Sequence, residues 1–101
     1  MIKLPNTFNG NKRDDLGNVI FTILDRYDTL VILERSDNQY EVVNVKVSKD
    51  REFKIKGRTV VAKAKEYLPS GDVWDGYTTN NRRKAFDNFY SKVKEMYKVA
   101  V

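Results

Sequence analysis

Arg82, Arg83 and Lys84 form a run of three cations just after a loop, "PSGDVWDGYTTN", that carries Trp74, the only tryptophan in the chain, together with Tyr77. Aromatic rings beside cations are the composition of a surface that stacks bases and neutralises phosphates. Three cations at the start of a helix also oppose its dipole, so their placement asks for an anionic partner. The competing structural reading makes Trp74 a plug over the end of a small core and pairs Arg83 with Asp87 one helical turn on. A second basic set, Lys54, Lys56, Arg58, Lys63 and Lys65, is spaced as on a strand hairpin, with Lys54 and Lys56 on one face. Such a hairpin is a positive ridge for phosphates, or else an edge protected by lysines against aggregation.

Enzyme chemistry has little to work with. The chain has neither histidine nor cysteine, which excludes Ser-His-Asp and Cys-His machinery, imidazole acid–base catalysis at neutral pH, and thiolate or imidazole zinc sites. Asp37, Glu52 and Lys54 match the carboxylate, carboxylate-x-lysine pattern of metal-dependent nucleases. A triplet such as "EFK" arises easily where 33% of residues are charged, and neither a glycine-rich phosphate loop nor a zinc pattern accompanies it. No catalytic residue, metal or cofactor is expected.

The charge is uneven. Residues 1–50 are net −1 and residues 51–101 net +6, which places the excess beside the basic sets and suggests an anionic partner. At 101 residues, 41% of them hydrophobic, the chain suits one domain with a modest core. No apolar run reaches membrane-span length and the N-terminus lacks the apolar stretch of a secretory signal, so a soluble cytoplasmic protein with no membrane partner is expected.

The elements that would hold these residues follow from periodicity. Residues 1–17 show no period and read as an irregular N-terminal arm, followed by one domain over residues 18–101. "NVIFTILDRY", "TLVILERS" and "QYEVVNVKVS" read as three strands joined by turns at Tyr27-Asp28 and Asp37-Asn38, a meander. In the third, Val43, Val45 and Val47 alternate with Asn44, Lys46 and Ser48, the pattern of a sheet with one wet face. "REFKIKGRTVVAKAKEYL" reads as a further hairpin turning at Gly57, whose small alanines would leave room for a helix. Ala85, Phe86, Phe89, Tyr90, Val93, Met96, Tyr97 and Ala100 form a helical stripe, with Thr79, Asn80 or Asn81 able to cap its start. The expected fold is α+β: an antiparallel meander of four to five strands with one amphipathic C-terminal helix packed on one face.

"YEVVNVKV", "GRTVVAKAKEYLPSGDVWDGYT" and the following helix together resemble a family of small uncharacterised bacteriophage proteins. That pattern has a strand beginning at "EVV", a hairpin, an E-Y-x-P-S step, a tryptophan before a glycine, and an A-x-x-x-F helix. The corresponding residues are Glu41 to Val43, Glu66 to Ser70, Trp74, Gly76, and Ala85 with Phe89; Asp75 intervenes where the pattern runs from tryptophan straight to glycine. The resemblance brings no activity with it. It implies a non-enzymatic interaction protein of a bacterial host cell's cytoplasm that binds and modulates or inhibits a host protein or protein–nucleic acid complex. The alternative is direct binding of single-stranded DNA or RNA by the basic hairpin and the loop aromatics. An exposed hairpin edge or the N-terminal arm would also allow a homodimer.

Overall fold

The run Leu30-Val31-Ile32-Leu33 sets the architecture. Successive side chains in a strand point to opposite faces, so four apolar residues without a polar break must be covered on both sides. The computed structural model describes residues 1–10, 12 and 15–99. Its elements are β1 (Thr7–Asn9), β2 (Ile20–Tyr27), β3 (Leu30–Arg35), β4 (Tyr40–Asn44), β5 (Lys46–Val47), β6 (Arg51–Ile55), β7 (Arg58–Ala62), β8 (Glu66–Tyr67), a 3-10 turn (Gly71–Val73), β9 (Tyr77–Thr79) and α1 (Arg82–Val99). Five strands form an antiparallel sheet in the order β1-β2-β3-β4-β9, with β3 at its centre and its four apolar residues fully buried. The expected α+β architecture with one C-terminal helix is what the chain builds.

Helix α1 covers one face, where Ala85 and Phe89 pack on Leu30, Ile32 and Val42. Its start is capped by Asn81, whose Oδ1 accepts the Lys84 N–H at 3.1 Å. Ala100, the last member of the expected stripe, lies outside the described residues.

The opposite face is covered as well, and this corrects the expectation of a wet side. Phe21, Val31, Leu33, Val43 and Val45 are buried there beneath Leu4, Phe8, Leu16, Val19 and Leu68. The cover comes from the two stretches without periodicity: the lead-in before β2 and the connection after β8. Residues 1–17 are accordingly not all irregular. Thr7–Asn9 forms edge strand β1 paired to β2, and Phe8 meets Phe21 edge to face at 5.5 Å. The stretch "PSGDVWDGYTTN" likewise supplies the other edge strand, β9, paired to β4. The turns before and after β3 place Asp28 and Asn38 at positive φ (54° and 65°), a conformation both side chains tolerate.

The expected fourth and fifth strands leave the sheet altogether. After Val45 the chain turns into β5, which pairs with β8; beyond it β6 and β7 pair only with each other. Ser48 bridges the ribbon, its N–H donating to the Lys65 carbonyl at 2.9 Å and its hydroxyl accepting from the Lys65 N–H at 3.0 Å. The molecule is drawn out to 52 × 38 × 24 Å, with a radius of gyration of 15.7 Å, against about 13 Å for a compact chain of this size. Among the described residues no helix packs on Ala62 or Ala64; α1 lies over β3, β4 and β9 instead. Among the described residues no helix is long and apolar enough to cross a membrane.

One ion pair fastens the ribbon to the sheet. Glu66, on β8, receives Arg26 of β2 in two parallel bonds, Nη1 to Oε1 at 2.7 Å and Nη2 to Oε2 at 2.5 Å. Its Oε1 also accepts the Leu4 N–H at 3.1 Å, so one buried carboxylate ties lead-in, sheet and ribbon together. These bonds hold the Glu66 carboxyl down at about 2, well below its ordinary 4.5. Folded Glu66 therefore binds its proton less readily than the unfolded chain does. The stabilisation is complete above about pH 4.5 and is lost as pH falls toward 2. Glu66→Gln should cost about 3 kcal/mol at neutral pH by leaving Arg26 without its charge partner. Urea unfolding across pH 5 to 2 checks it: the parent's midpoint should fall steeply in this window and the variant's should fall less.

Candidate functional site

Two regions hold side chains whose arrangement the fold itself does not explain: the ribbon, and a cavity on the face opposite α1.

The ribbon's outer strands, β6 and β7, are exposed along their whole length, only Ala62 being half-covered. Cross-strand partners share a face, so Arg51 with Ala62, Phe53 with Val60, and Ile55 with Arg58 make one surface. It is apolar at its middle and bears a guanidinium at each end. Phe53 and Ile55 are 40% and 53% exposed, far more than apolar residues at a filled core. The reverse face carries Glu52 against Val61 and Lys54 against Thr59. The expected ridge is therefore divided: Arg58 lies on the side opposite Lys54, because a two-residue turn places residues 55 and 58 in register. That turn is Lys56-Gly57, both at positive φ (51° and 79°), as a tight two-residue hairpin requires. Lys56 occupies a position where glycine or asparagine would be less strained. Lys63 follows the end of β7, and Lys65 lies at the ribbon's root, bridged to Ile2.

Charge is concentrated in the same place. Residues 49–65 contain seven basic side chains and two acidic ones, net +5, which equals the net charge of all 101 residues. Outside that segment, acids and bases balance.

The expected partnership of Trp74, Tyr77 and the helix-start cations does not form one surface. In β9, Thr78 turns toward the cavity while its neighbour Tyr77 packs against the sheet side that lies under α1. Trp74 lines the cavity on the other side of the sheet. At the helix start, Arg82 lies over the Phe86 ring, 5.3 Å from its centroid, and reaches Glu34 at 3.3 Å. Arg83 and Lys84 have no ion-pair partner among the described residues, and the expected Arg83–Asp87 pair is absent among them. The two carboxylates of the nuclease pattern, Asp37 and Glu52, belong to different parts of the molecule. Asp37, in the turn before β4, receives Nε and Nη2 of Arg35, while Glu52 is on the ribbon.

The cavity, about 270 Å³, was not legible as a site. Four strands make its floor: Phe21 of β2, Arg35 of β3 directly across from it, Glu41 of β4, and Thr78 of β9 across from Glu41. Leu68, Pro69 and Trp74 from the connection form its wall. Arg35 donates through Nη1 to Glu41 Oε2 at 2.9 Å and lies 5.6 Å from the centroid of Phe21. The hydrogen bonds to Asp37 and Glu41 strengthen its hold on the proton and raise its pKa further, outweighing the opposing effect of burial. Extending the alternation of Val43 and Val45 back by one step places Glu41 on the inner face. A carboxylate at a core-facing position is the signal that sequence reading passes over.

Trp74 is no plug. It is 38% exposed, and its indole lies so close over Gly76 that a Cβ there would approach ring atom Cζ2 to 2.5 Å. The glycine clears space for the ring. Comparison of the chain with protein-family models, with curated proteins and with solved structures gives no significant match.

Trp74→Ala should lower the unfolding free energy by less than about 1.5 kcal/mol, whereas Phe89→Ala, which empties a filled core position, should cost about 3 to 5 kcal/mol. Gly76→Ala should displace the indole and shift its fluorescence while the chain remains folded. Urea unfolding followed by circular dichroism, with emission spectra of the native proteins, measures all three.

Proposed function

We propose that the chain is a non-enzymatic binding protein whose projecting ribbon, residues 46–67, engages nucleic acid. The observation that carries this is the coincidence of the molecule's entire excess positive charge with a hairpin, β6 and β7, that packs in neither core cluster. A ribbon kept only as a protected edge has no need to extend roughly 33 Å from Lys46 to Lys56, at about 3.3 Å per residue. Two-stranded ribbons fit the major groove, which is about 12 Å wide. Lysines and arginines on both faces meet the phosphates on either side, and counterion release supplies the affinity. The apolar centre of Phe53, Ile55 and Val60 supplies apolar contact with base edges in that groove, the thymine methyl among them. Lys56 fits the same reading: a charge is kept at the tip in spite of a backbone conformation that favours glycine.

A protein partner is the second reading, favoured by the same exposed apolar centre. It retains the expectation of a host protein or protein–nucleic acid complex as target. A second copy of the chain suits the apolar centre but sets two strongly positive ribbons against each other, which favours an anionic occupant.

Fluorescence anisotropy with labelled duplex and single-stranded oligonucleotides over a salt series tests this. Affinity should fall linearly on a log–log plot of salt. Combined Lys54→Ala, Lys56→Ala and Arg58→Ala should flatten the slope by about 0.9 for each phosphate no longer neutralised on duplex, or about 0.7 on single strands. Tighter binding to duplex supports groove insertion. No salt-dependent binding to either form at low salt rejects the nucleic-acid reading. Capture of a defined protein from a nuclease-treated bacterial lysate, abolished by Phe53→Ser, would then favour the second.

A further inference from the structure

The geometry points to the cavity walled by Trp74 as a binding pocket for a nucleobase, free or carried on a strand. Its buried carboxylate is the starting point. The Glu41 side chain is only 7% exposed, yet it lines the cavity with one oxygen unused: Oε2 accepts from Arg35, while Oε1 takes no hydrogen bond from any described residue. The second buried carboxylate, Glu66, is the contrast. It too lies beside a hollow, but Arg26 and the Leu4 N–H occupy both of its oxygens. The free oxygen is not sealed away without a partner; it stays accessible from the cavity, where a ligand that donates to it can replace water.

The neighbouring groups narrow the ligand. Of the five N–H groups of a guanidinium, Arg35 uses three, on Asp37 and Glu41, and keeps one on each Nη nitrogen. An open acceptor thus stands beside open donors, with Arg35 Nη1 and Glu41 Oε2 held 2.9 Å apart. The complement is a flat body presenting a donor next to an acceptor on one edge. Every nucleobase has such an edge, as in an amino group beside a ring nitrogen, or a ring N–H beside a carbonyl. Beside this floor stand Leu68 and the indole of Trp74, the latter suited to stacking on a π face. The Ser70 hydroxyl, which makes no capping bond to the 3-10 turn it precedes, adds a donor or acceptor at the rim. At about 270 Å³ the cavity is at the small end of ligand sites and suits a base better than a whole dinucleotide. Arg35, Asp37 and Glu41 together carry one excess negative charge, so a phosphate attached to the base would remain outside.

The pocket contains none of the ribbon's residues, so this inference goes beyond the ribbon reading and either can fail alone. Trp74 is the only tryptophan, which makes its emission a local probe. The full chain is titrated with adenosine, guanosine, cytidine and uridine, and with phenol as a ring lacking the paired edge. Each titration is repeated by two-dimensional amide NMR. The expected result is saturable quenching by at least one nucleoside, with shifts at residues 35, 41, 68–74 and 78. Glu41→Gln should weaken it at least tenfold. Thr78→Phe, which fills the floor from an exposed edge-strand position, should abolish it and guards against misfolding of the first variant. A short oligonucleotide that competes more strongly than its nucleoside identifies a strand as the source; equal strength identifies the free base. No saturable change with any nucleoside, equal binding of phenol, or binding untouched by both variants would overturn the inference.

Discussion

The rest of the structure depends on the double burial of β3. Leu30 to Leu33 are sealed on both faces, and a chain of this length has one long helix to offer. The second cover must therefore come from segments with no regular period. Backbone in such segments has few ladder partners, so it needs other anchors. Glu66 provides one by binding the Leu4 N–H and Arg26 together. The 3-10 turn provides another by presenting Trp74 over the sheet. An irregular cover also packs less completely than a helix, and a cavity opens where it meets β2, β3, β4 and β9.

The same constraint separates the ribbon from the core. Once the lead-in and the connection after β8 occupy the second face, no apolar surface is left for β6 and β7 to join. They extend away, paired to each other, and the apolar side of that hairpin is exposed. The ribbon pays in exposed apolar area, and concentrated like charge adds repulsion along its length. Neither feature helps folding, which is why both are read as serving a partner.

Two charged networks on the non-helical face have different consequences. Arg26–Glu66 is closed: both carboxylate oxygens and the neighbouring N–H are matched, and the carboxyl is strongly acidic for that reason. Arg35–Glu41 is open: the arginine is divided between Asp37 and Glu41, and one oxygen of Glu41 takes no hydrogen bond from a described residue. A closed pair fastens segments. An open one of similar burial is the chemistry of recognition.

Much of the fold was legible because its signals are local. Strand residues 20–35 and 40–44, the turns at Asp28 and Asn38, the Gly57 hairpin and the α1 stripe follow from period, turn chemistry and capping within a few residues of each other. Strands β1 and β9 were not legible, since each is only three residues long and exists through pairing with a distant neighbour. The basic residues of the ribbon were visible as a hairpin. Its detachment from the sheet was decided by competition for the second face. Likewise, composition drew attention to Trp74 and alternation placed Glu41 inward, but their meeting across one cavity depends on pairings between residues more than thirty apart in sequence. Sequence by itself determined β2 to β4, the hairpin, the helix and where charge lies; tertiary structure alone decided the short edge strands and which face each residue shares, because burial of β3 is settled among segments that carry no local code for one another.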